Sequence, residues 1–196
     1  MNHGTYYERS KQLDIYPHLR ESVERLTGEL PRTAIDMGCG AGRNALFLVE
    51  HGYRVHAFDH HPLAIERLQE AGKAHLGLSL FTSQARFDEF EYPPASLITA
   101  CMSLFFCHPD VFPTVWHRLT QSLSSGGMFC GHFMGPDDTW AQDESRHLTI
   151  HTPATLSTLF ADDYHVITLQ EQSRAGMTLM GKNKHWHTYS VILQKR

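Results

Sequence analysis

The sequence has little of what marks membrane, secreted or nucleic-acid-binding proteins. No apolar run reaches the roughly 18 residues that a membrane span needs. The opening segment MNHGTYYERSKQLD is too polar for a secretory signal. Lys and Arg number 17 against 21 Asp and Glu, which gives a net charge of −4 and no clustered basic footprint. We therefore expect a cytoplasmic protein whose partners include neither a membrane nor a nucleic acid.

Cysteine is scarce as well, and its four positions, 39, 101, 107 and 130, show neither zinc-binding nor redox spacing. Reduced thiols are therefore expected. Histidine, by contrast, is abundant at 15 residues and could serve metal binding or proton transfer. The closest pair in a predicted strand, His185 and His187, supplies only two ligands, and a closed structural zinc site needs four. We expect no metal.

The 196 residues suggest one domain, and 41% hydrophobic residues can bury a core. Strands are predicted at 33–38, 53–59, 78–84, 96–102, 128–134, 164–172 and 185–194, and helices at 18–27, 43–51, 62–73, 109–123 and 152–160. This alternation predicts a doubly wound α/β fold with a mostly parallel sheet. The last two strands suit a hairpin, so the sheet should end on an antiparallel strand. We divide the single domain into a helical cap at 1–30, a core at 31–150 and a C-terminal helix and hairpin at 151–196.

A glycine-rich loop, Asp36-Met37-Gly38-Cys39-Gly40-Ala41-Gly42, joins the first strand to the next helix. Glycines there allow a tight turn and close approach to a ligand, and free N–H groups at the helix start face it. Asp59 ends the second strand, where a carboxylate can accept hydrogen bonds from ribose hydroxyls. Position 43, where a dinucleotide-binding loop has its last glycine, is Arg. The pattern indicates a nucleoside-containing ligand, and the alternative is an ordinary tight turn beside a solvated strand end.

The D-x-G-x-G-x-G loop, the acid that ends the second strand and Gly126-Gly127 before the fifth strand resemble class I S-adenosylmethionine-dependent methyltransferases. The segment DMGCGAGRNALFLVEHGYRVHAFDHHPLAIERL is similar to small bacterial methyltransferases of the tellurite-resistance type, in which Gly-Arg-Asn follows the glycines. The resemblance covers nearly the whole chain. It implies a Rossmann-like, seven-stranded, mostly parallel sheet with an antiparallel C-terminal strand, and S-adenosylmethionine as cofactor.

The resemblance also implies which residues bind the cofactor. Gly38 and Gly40 would border the methionine part, Arg43 and Asn44 would lie near its carboxylate, and Asp59 would bind the ribose. The full predicted set is Asp36, Gly38, Cys39, Gly40, Arg43, Asn44, Asp59, His60, Ala85, Arg86, Phe87 and Cys101.

Two positions depart from the family pattern. Arg86 stands where an Asp often contacts the adenine amino group, and Asp88 follows two residues later. Adenine recognition then rests on backbone groups and Phe87, or on Asp88 through a shifted loop. Ser96 replaces the acid that often precedes the fourth strand. Neither change removes a chemical requirement of methyl transfer.

Methyl transfer from a sulfonium is an in-line displacement in which the protein aligns the acceptor and excludes water. A general base is needed only when the acceptor arrives protonated. Ligands bind beyond the carboxyl ends of parallel strands, so Glu171, His185 and His187 are predicted to form an acceptor pocket near His132, with one histidine as a possible base. The alternative is that these histidines are ordinary polar residues on a sheet edge.

The aromatic stretch from Tyr6 to His18 is expected either to fold over the ligand as a lid or simply to pack on the sheet edge. Cys39 and Cys101 are interpreted as small buried fillers rather than nucleophiles.

The sequence thus predicts a methyltransferase acting on a small molecule, with chalcogen oxyanions and small thiols raised as acceptors by the resemblance. A nucleotide-dependent oxidoreductase, disfavoured by Arg43, and a non-catalytic S-adenosylmethionine-binding module are the alternatives. The acceptor and the oligomeric state stay open.

Overall fold

The computed structural model of the chain describes residues 3–26, 28 and 30–196. The helices are α1 His3–Lys11, α2 Pro17–Arg25, α3 Arg43–Glu50, α4 Pro62–Ala71, α5 Phe112–Ser122 and α6 Pro153–Phe160. The strands are β1 Thr33–Met37, β2 Arg54–Asp59, β3 Leu80–Gln84, β4 Ala95–Ala100, β5 Leu123–Met134, β6 Tyr164–Met177 and β7 Asn183–Lys195.

The seven strands form one sheet in the order β3-β2-β1-β4-β5-β7-β6. Strands β1 to β5 pair in parallel, and β7 runs antiparallel to both β5 and β6. The predicted α/β fold and its antiparallel C-terminal strand are confirmed. The order turns back between β1 and β4, so the carboxyl ends of these central strands border a crevice in which ligands of such sheets bind.

Helices cover both faces of the sheet, which is why the central strands are apolar throughout. All six residues of β4 are buried. Along β1, Ala34 and Ile35 belong to different core clusters, because successive side chains point to opposite faces. One cluster is aromatic and contains Trp116 and Phe129, and the other contains Leu19 from α2 and Leu48 from α3.

Several predicted boundaries are wrong. Strand β5 begins at Leu123 rather than 128, since the predicted turn at 124–127 lies within the strand beside a register irregularity opposite β4. Helix α2 ends at Arg25, and Thr27 from the predicted helix lies outside the described residues. The hairpin strands β6 and β7 are longer than predicted. The end of β6 was not predicted because residues 173–177 show no apolar alternation. Helix α1 is not among the predicted helices.

Within the described part of the chain, no helix is both long and apolar enough to cross a membrane. All four cysteines are free and buried.

Candidate cofactor and acceptor site

The glycine loop between β1 and α3 requires glycine at its turning points. Gly38, Gly40 and Gly42 adopt φ of 67°, 54° and 90°, the left-handed region that side chains disfavour. A Cβ on Gly38 would lie 2.6 Å from the Cβ of Ser103, and one on Gly42 would lie 2.2 Å from a Leu68 methyl. At Gly38 and Gly42 the backbone is therefore packed against the segment after β4 and against α4, with no room for a side chain.

The carboxylate of Asp59 is held against this loop from the neighbouring strand. One oxygen accepts the Gly40 N–H at 3.0 Å and the other accepts the His61 N–H at 2.9 Å. Asp59 is buried, whereas the His60 ring, 3.3 Å away, is mostly exposed. Parallel pairing of β1 with β2 brings the two strand ends together, so the predicted ribose acid borders the glycine loop.

Behind the loop lies a group of buried polar side chains, which we call the Asp36 cluster: Asp36, Arg43 and Asn44. Among the described residues, Oδ2 of Asp36, Nε and Nη1 of Arg43 and Oδ1 of Asn44 are buried without a hydrogen-bond partner. Burial raises the pKa of Asp36 to about 7, against the opposing effects of Arg43 and the Ala45 N–H. Buried polar atoms are nearly always paired, so this cluster offers an acceptor and donors to a small zwitterion.

The predicted adenine-side residues follow β3. The Ala85 N–H donates to the Asp59 carbonyl at 3.1 Å, and the Phe87 ring meets Phe58 edge-on at 5.8 Å between centroids. The Arg86 side chain is 65% exposed and lies 3.6 Å from Asp88. Ala85 and Phe87 therefore pack at the end of β2, while the Arg86 side chain faces solvent.

Comparison with known proteins shows that residues 34–127, which include the glycine loop and Asp59, match the methyltransferase-domain family. This part of the chain therefore carries a methyltransferase domain. The predicted methyltransferase family is confirmed for these residues.

Solved structures share the fold. TehB from Haemophilus influenzae superposes with a TM-score of 0.77 at 16% identity, over 97% of this chain and 66% of TehB. N-methyltransferase NodS from Bradyrhizobium japonicum, with S-adenosylhomocysteine, gives 0.66 at 16% identity, over 97% of this chain and 98% of NodS. The Burkholderia thailandensis 1,6-didemethyltoxoflavin-N1-methyltransferase, with 1,6-didemethyltoxoflavin and S-adenosylhomocysteine, gives 0.66 at 18% identity, over 98% and 84%.

A curated relative matches a shorter stretch. Hemagglutinin 1 of Eikenella corrodens is 37% identical over 60 residues, which is 31% of this chain and 19% of the relative. The chain thus matches only a fifth of this relative and just under two thirds of TehB.

Cys39 and Cys101 of the methyltransferase domain are buried free thiols. Burial raises the pKa of both well above the usual value, which makes each a poor nucleophile at neutral pH. Cys39 lies within the glycine loop, where its N–H donates to the Phe58 carbonyl at 2.9 Å. Cys101 follows β4 and contacts Thr99.

The structure joins two of the three predicted acceptor residues. Nε2 of His187 lies 2.8 Å from Oε1 of Glu171, which also accepts from the Tyr189 hydroxyl at 3.3 Å. Nδ1 of His187 accepts the Asp137 N–H at 3.1 Å, so the neutral ring carries its proton on Nε2. His185 has a different partner, with Nε2 2.8 Å from the Ser173 hydroxyl.

A buried ion pair ties the loop after β5 to the start of β7. Lys184 Nζ bonds to Asp138, and both side chains are almost fully buried. The ammonium lies 4.5 Å from the Trp140 ring centroid and 3.9 Å from that of Trp186. Asp138 also accepts the backbone N–H groups of Trp140 and His187. We call these five residues the Asp138 clamp.

Sequence reasoning missed Asp138 and Lys184 as a pair. The available signal was topological. An acid in the loop after β5 and a lysine opening the antiparallel β7 must reach the same rim of the sheet.

The N-terminal segment covers the glycine loop. Tyr7 of α1 is buried, and a Cβ on Gly40 would lie 3.8 Å from its ring. His3 stacks on His61 at 4.1 Å between centroids. Across the rim, Nη1 of Arg9 donates to the Leu179 carbonyl at 2.6 Å, in the turn of the β6–β7 hairpin. Helix α1 therefore extends from the glycine loop to the β6–β7 hairpin.

The end of α2 nearest the rim carries another buried group that sequence reasoning left apart. His18 Nε2 lies 3.3 Å from the Cys101 sulfur, and the rings of His18 and His132 meet edge-on at 4.6 Å. Tyr16 packs edge-on against His132 at 4.9 Å and lies under the Arg43 guanidinium at 4.7 Å. Burial lowers the pKa of His18 to about 4 and lowers that of His132 well below its usual value, so both imidazoles are neutral near pH 7.

Proposed function

We propose that the protein transfers the methyl group of S-adenosylmethionine to a small-molecule acceptor. The observation that carries this proposal is the Asp36 cluster, whose buried oxygen and nitrogen atoms have no protein partner yet lie behind a glycine loop. The methionine part of S-adenosylmethionine carries an ammonium and a carboxylate. These are the two charges that such a cluster can pair.

In this proposal each predicted residue has a chemical role. Asp36 accepts a hydrogen bond from the cofactor ammonium, while Arg43 and Asn44 hold its carboxylate. Asp59 accepts hydrogen bonds from the ribose hydroxyls, and the N–H groups of Gly40 and His61 keep its carboxylate oriented. Gly38, Cys39 and Gly40 let the backbone approach the cofactor, and His60 borders the ribose.

Adenine recognition is assigned to the segment after β3. Ala85 and Phe87 offer an apolar surface beside the end of β2, and backbone groups supply the polar contacts. Arg86 is exposed and fits a place at the edge of the adenine rather than beneath it.

The reaction itself needs a collinear approach. A lone pair of the acceptor forms a bond to the methyl carbon as the bond from carbon to the sulfonium breaks, which leaves S-adenosylhomocysteine. The cofactor supplies the activated methyl, so this chain has to orient the acceptor, exclude water and accept a proton if the acceptor is protonated.

The acceptor side is proposed to lie between Cys101, α1 and the hairpin. Helix α1 crosses this region through Arg9, which supports a small acceptor beneath a lid formed by α1. Glu171 and His187 would line the pocket. Because Nδ1 of His187 is already occupied by the Asp137 N–H, we assign His187 a positioning role and leave the role of base to His185.

Two further observations agree with a cytoplasmic enzyme that acts on a small molecule. The toxoflavin enzyme with the same fold contains a bound small molecule. The four free thiols fit the reducing cytoplasm expected from the sequence.

Calorimetry with S-adenosylmethionine, S-adenosylhomocysteine and NAD tests the cofactor. We expect the first two to bind and NAD not to bind. Asp59→Asn should weaken binding, whereas Asp110→Asn, which changes an exposed carboxylate before α5, is the matched control. Release of S-adenosylhomocysteine is then measured with a panel of small thiols, amines and chalcogen oxyanions. Binding of NAD would favour an oxidoreductase, and cofactor binding without turnover across the panel would favour a binding module.

A further inference from the structure

Three side chains that can bind a metal ion meet at the ends of β4 and β5. Of these, only Cys101 has a place in the proposed function, at the border of the acceptor side. His18 opens α2, Cys101 follows β4 and His132 lies in β5. All three are buried, and one ligand atom from each lies within 4.8 Å of the other two. We call this group the His18 cluster. Among the described residues, no other group of three or more His, Cys, Asp or Glu side chains has metal-ligand spacing.

The donor set matches the chemistry of a zinc site. A thiolate and two imidazoles suit Zn²⁺, whereas Mg²⁺ and Ca²⁺ prefer oxygen ligands. Bonds of about 2.0 Å to nitrogen and 2.3 Å to sulfur place tetrahedral ligand atoms roughly 3.3–3.8 Å apart. His18 Nε2 and the Cys101 sulfur are already 3.3 Å apart. The widest separation, at most 4.8 Å, requires an inward shift of about 1 Å.

We propose that His18, Cys101 and His132 bind one Zn²⁺ ion, with the fourth coordination position left open. Binding forms one bond from zinc to sulfur and two from zinc to nitrogen. The Cys101 thiol releases one proton to solvent, and both imidazoles bind as neutral ligands. Three protein ligands with an open position are typical of zinc sites that hold water or a substrate. This inference does not depend on the proposed methyl transfer.

Zinc binding has to displace hydrogen bonds that the cluster makes without metal. The Cys101 sulfur lies 3.2 Å from the Thr99 hydroxyl, and Nδ1 of His132 accepts the Met102 N–H at 3.2 Å. Whichever ring nitrogen of His132 binds the metal, Met102 loses this acceptor. One lost hydrogen bond is small beside the stabilisation from a zinc–thiolate site. Met102 also has a φ of 56°, which is strained for a non-glycine residue. Reorientation of its peptide on zinc binding can relieve this strain.

The sequence offered no spacing pattern for this site. Its ligands lie at positions 18, 101 and 132, on three elements that only the folded sheet brings together. The expectation of no metal considered the pair His185 and His187 in one strand. Cysteine and histidine patterns of short spacing therefore could not reveal a ligand set assembled across the rim.

The test uses the full chain in the absence of S-adenosylmethionine. After treatment with a chelator, the protein is dialysed against Zn²⁺ and its metal content is measured. The chelated protein is separately titrated with Co²⁺, whose charge-transfer absorption reports a bound thiolate. We expect one Zn²⁺ per chain and a cobalt–thiolate band that Cys101→Ser abolishes. His18→Gln and His132→Gln should weaken zinc affinity by about tenfold or more.

Cys107→Ser and His151→Gln are matched controls, since both residues are buried and lie outside the cluster. They should keep the metal and the band. If the unmodified protein keeps no zinc after dialysis, or if the cobalt–thiolate band persists in Cys101→Ser, the proposal is overturned. The zinc content after dialysis is measured on the wild-type protein, so this result can overturn the proposal even if a variant fails to fold. A protein that keeps no zinc after dialysis but still binds S-adenosylmethionine would overturn this inference and leave the proposed function intact.

Discussion

The protein buries polar side chains in two ways at the same rim of the sheet. In the Asp138 clamp every buried charge has a partner: Lys184 bonds to Asp138 between two tryptophan rings, and Asp138 accepts two backbone N–H groups. In the Asp36 cluster a carboxylate oxygen and two guanidinium nitrogens have none. An unpaired buried group destabilises a fold, so we propose that a ligand pairs the free atoms of the Asp36 cluster. The clamp is therefore expected to stabilise the fold, and the Asp36 cluster is the proposed cofactor-binding site.

The largest effect is expected from breaking the clamp. Asp138→Ala leaves the Lys184 ammonium buried without its carboxylate and should lower the free energy of unfolding by about 3–5 kcal/mol. Urea denaturation measures this change. The exposed pair of Glu21 and Arg25, 2.8 Å apart, is the control, and Glu21→Gln should cost about 0.2–1 kcal/mol. Equal losses in the two variants would show that the clamp is not a structural element.

Removing the charge of Asp36 should have the opposite pattern. Asp36→Asn is expected to weaken S-adenosylmethionine binding by about 10–150-fold, the value of a hydrogen bond between charged groups. The unliganded protein should lose no stability and is expected to gain some, because the variant removes a buried carboxylate with an unpaired oxygen. Calorimetry and urea denaturation on the same preparation measure both quantities. A destabilised variant with unchanged affinity would place Asp36 with the clamp.

The pH dependence sharpens the same contrast. The folded-state pKa of Asp36, about 7, is above its ordinary 3.8, so ionisation destabilises the free protein. The contribution of this group to stability is favourable below pH 3.8 and is lost as the pH rises through about 7. Because the cofactor ammonium needs the carboxylate, affinity should fall toward tenfold for each pH unit below about 7. Calorimetry between pH 5 and 8 tests this, and Asp36→Asn should flatten the profile.

The smallest effect is expected at the lid. Arg9→Gln removes the bond to the Leu179 carbonyl and should speed S-adenosylhomocysteine dissociation by about fivefold, the equivalent of a hydrogen bond near 1 kcal/mol. Stopped-flow fluorescence measures the rate, with Arg25→Gln as a control on an exposed arginine of α2. Amide exchange of α1 should slow when S-adenosylhomocysteine is added. Unchanged exchange would favour simple packing over a lid.

The sequence predicted what local patterns determine. Alternating apolar runs predicted the strands and helices of the core, and the glycine loop with Asp59 predicted a nucleoside site. The loop glycines and Asp59 are recognisable because their spacing along the chain reflects one turn and one neighbouring strand. The full length of β6 was not predicted because residues 173–177 are exposed and show no apolar alternation.

Contacts between distant segments could not be predicted in this way. Asp138 and Lys184 lie 46 residues apart, and His18 and Cys101 lie 83 apart. Their pairing depends on the position of β7 between β5 and β6 and on α2 packing over the sheet. Helix α1 is short and polar, with Tyr7 as its buried residue, so its place over the glycine loop also follows from tertiary packing.

The central claim is that the Asp36 cluster binds the amino-acid part of S-adenosylmethionine. Calorimetry comparing S-adenosylmethionine with 5′-methylthioadenosine, which keeps the nucleoside and sulfur but lacks the ammonium and carboxylate, tests it most directly. We predict that the wild-type protein binds S-adenosylmethionine at least about 100-fold more tightly, and that Asp36→Asn loses most of this preference. Equal affinity for the two ligands in the wild-type protein would contradict the account.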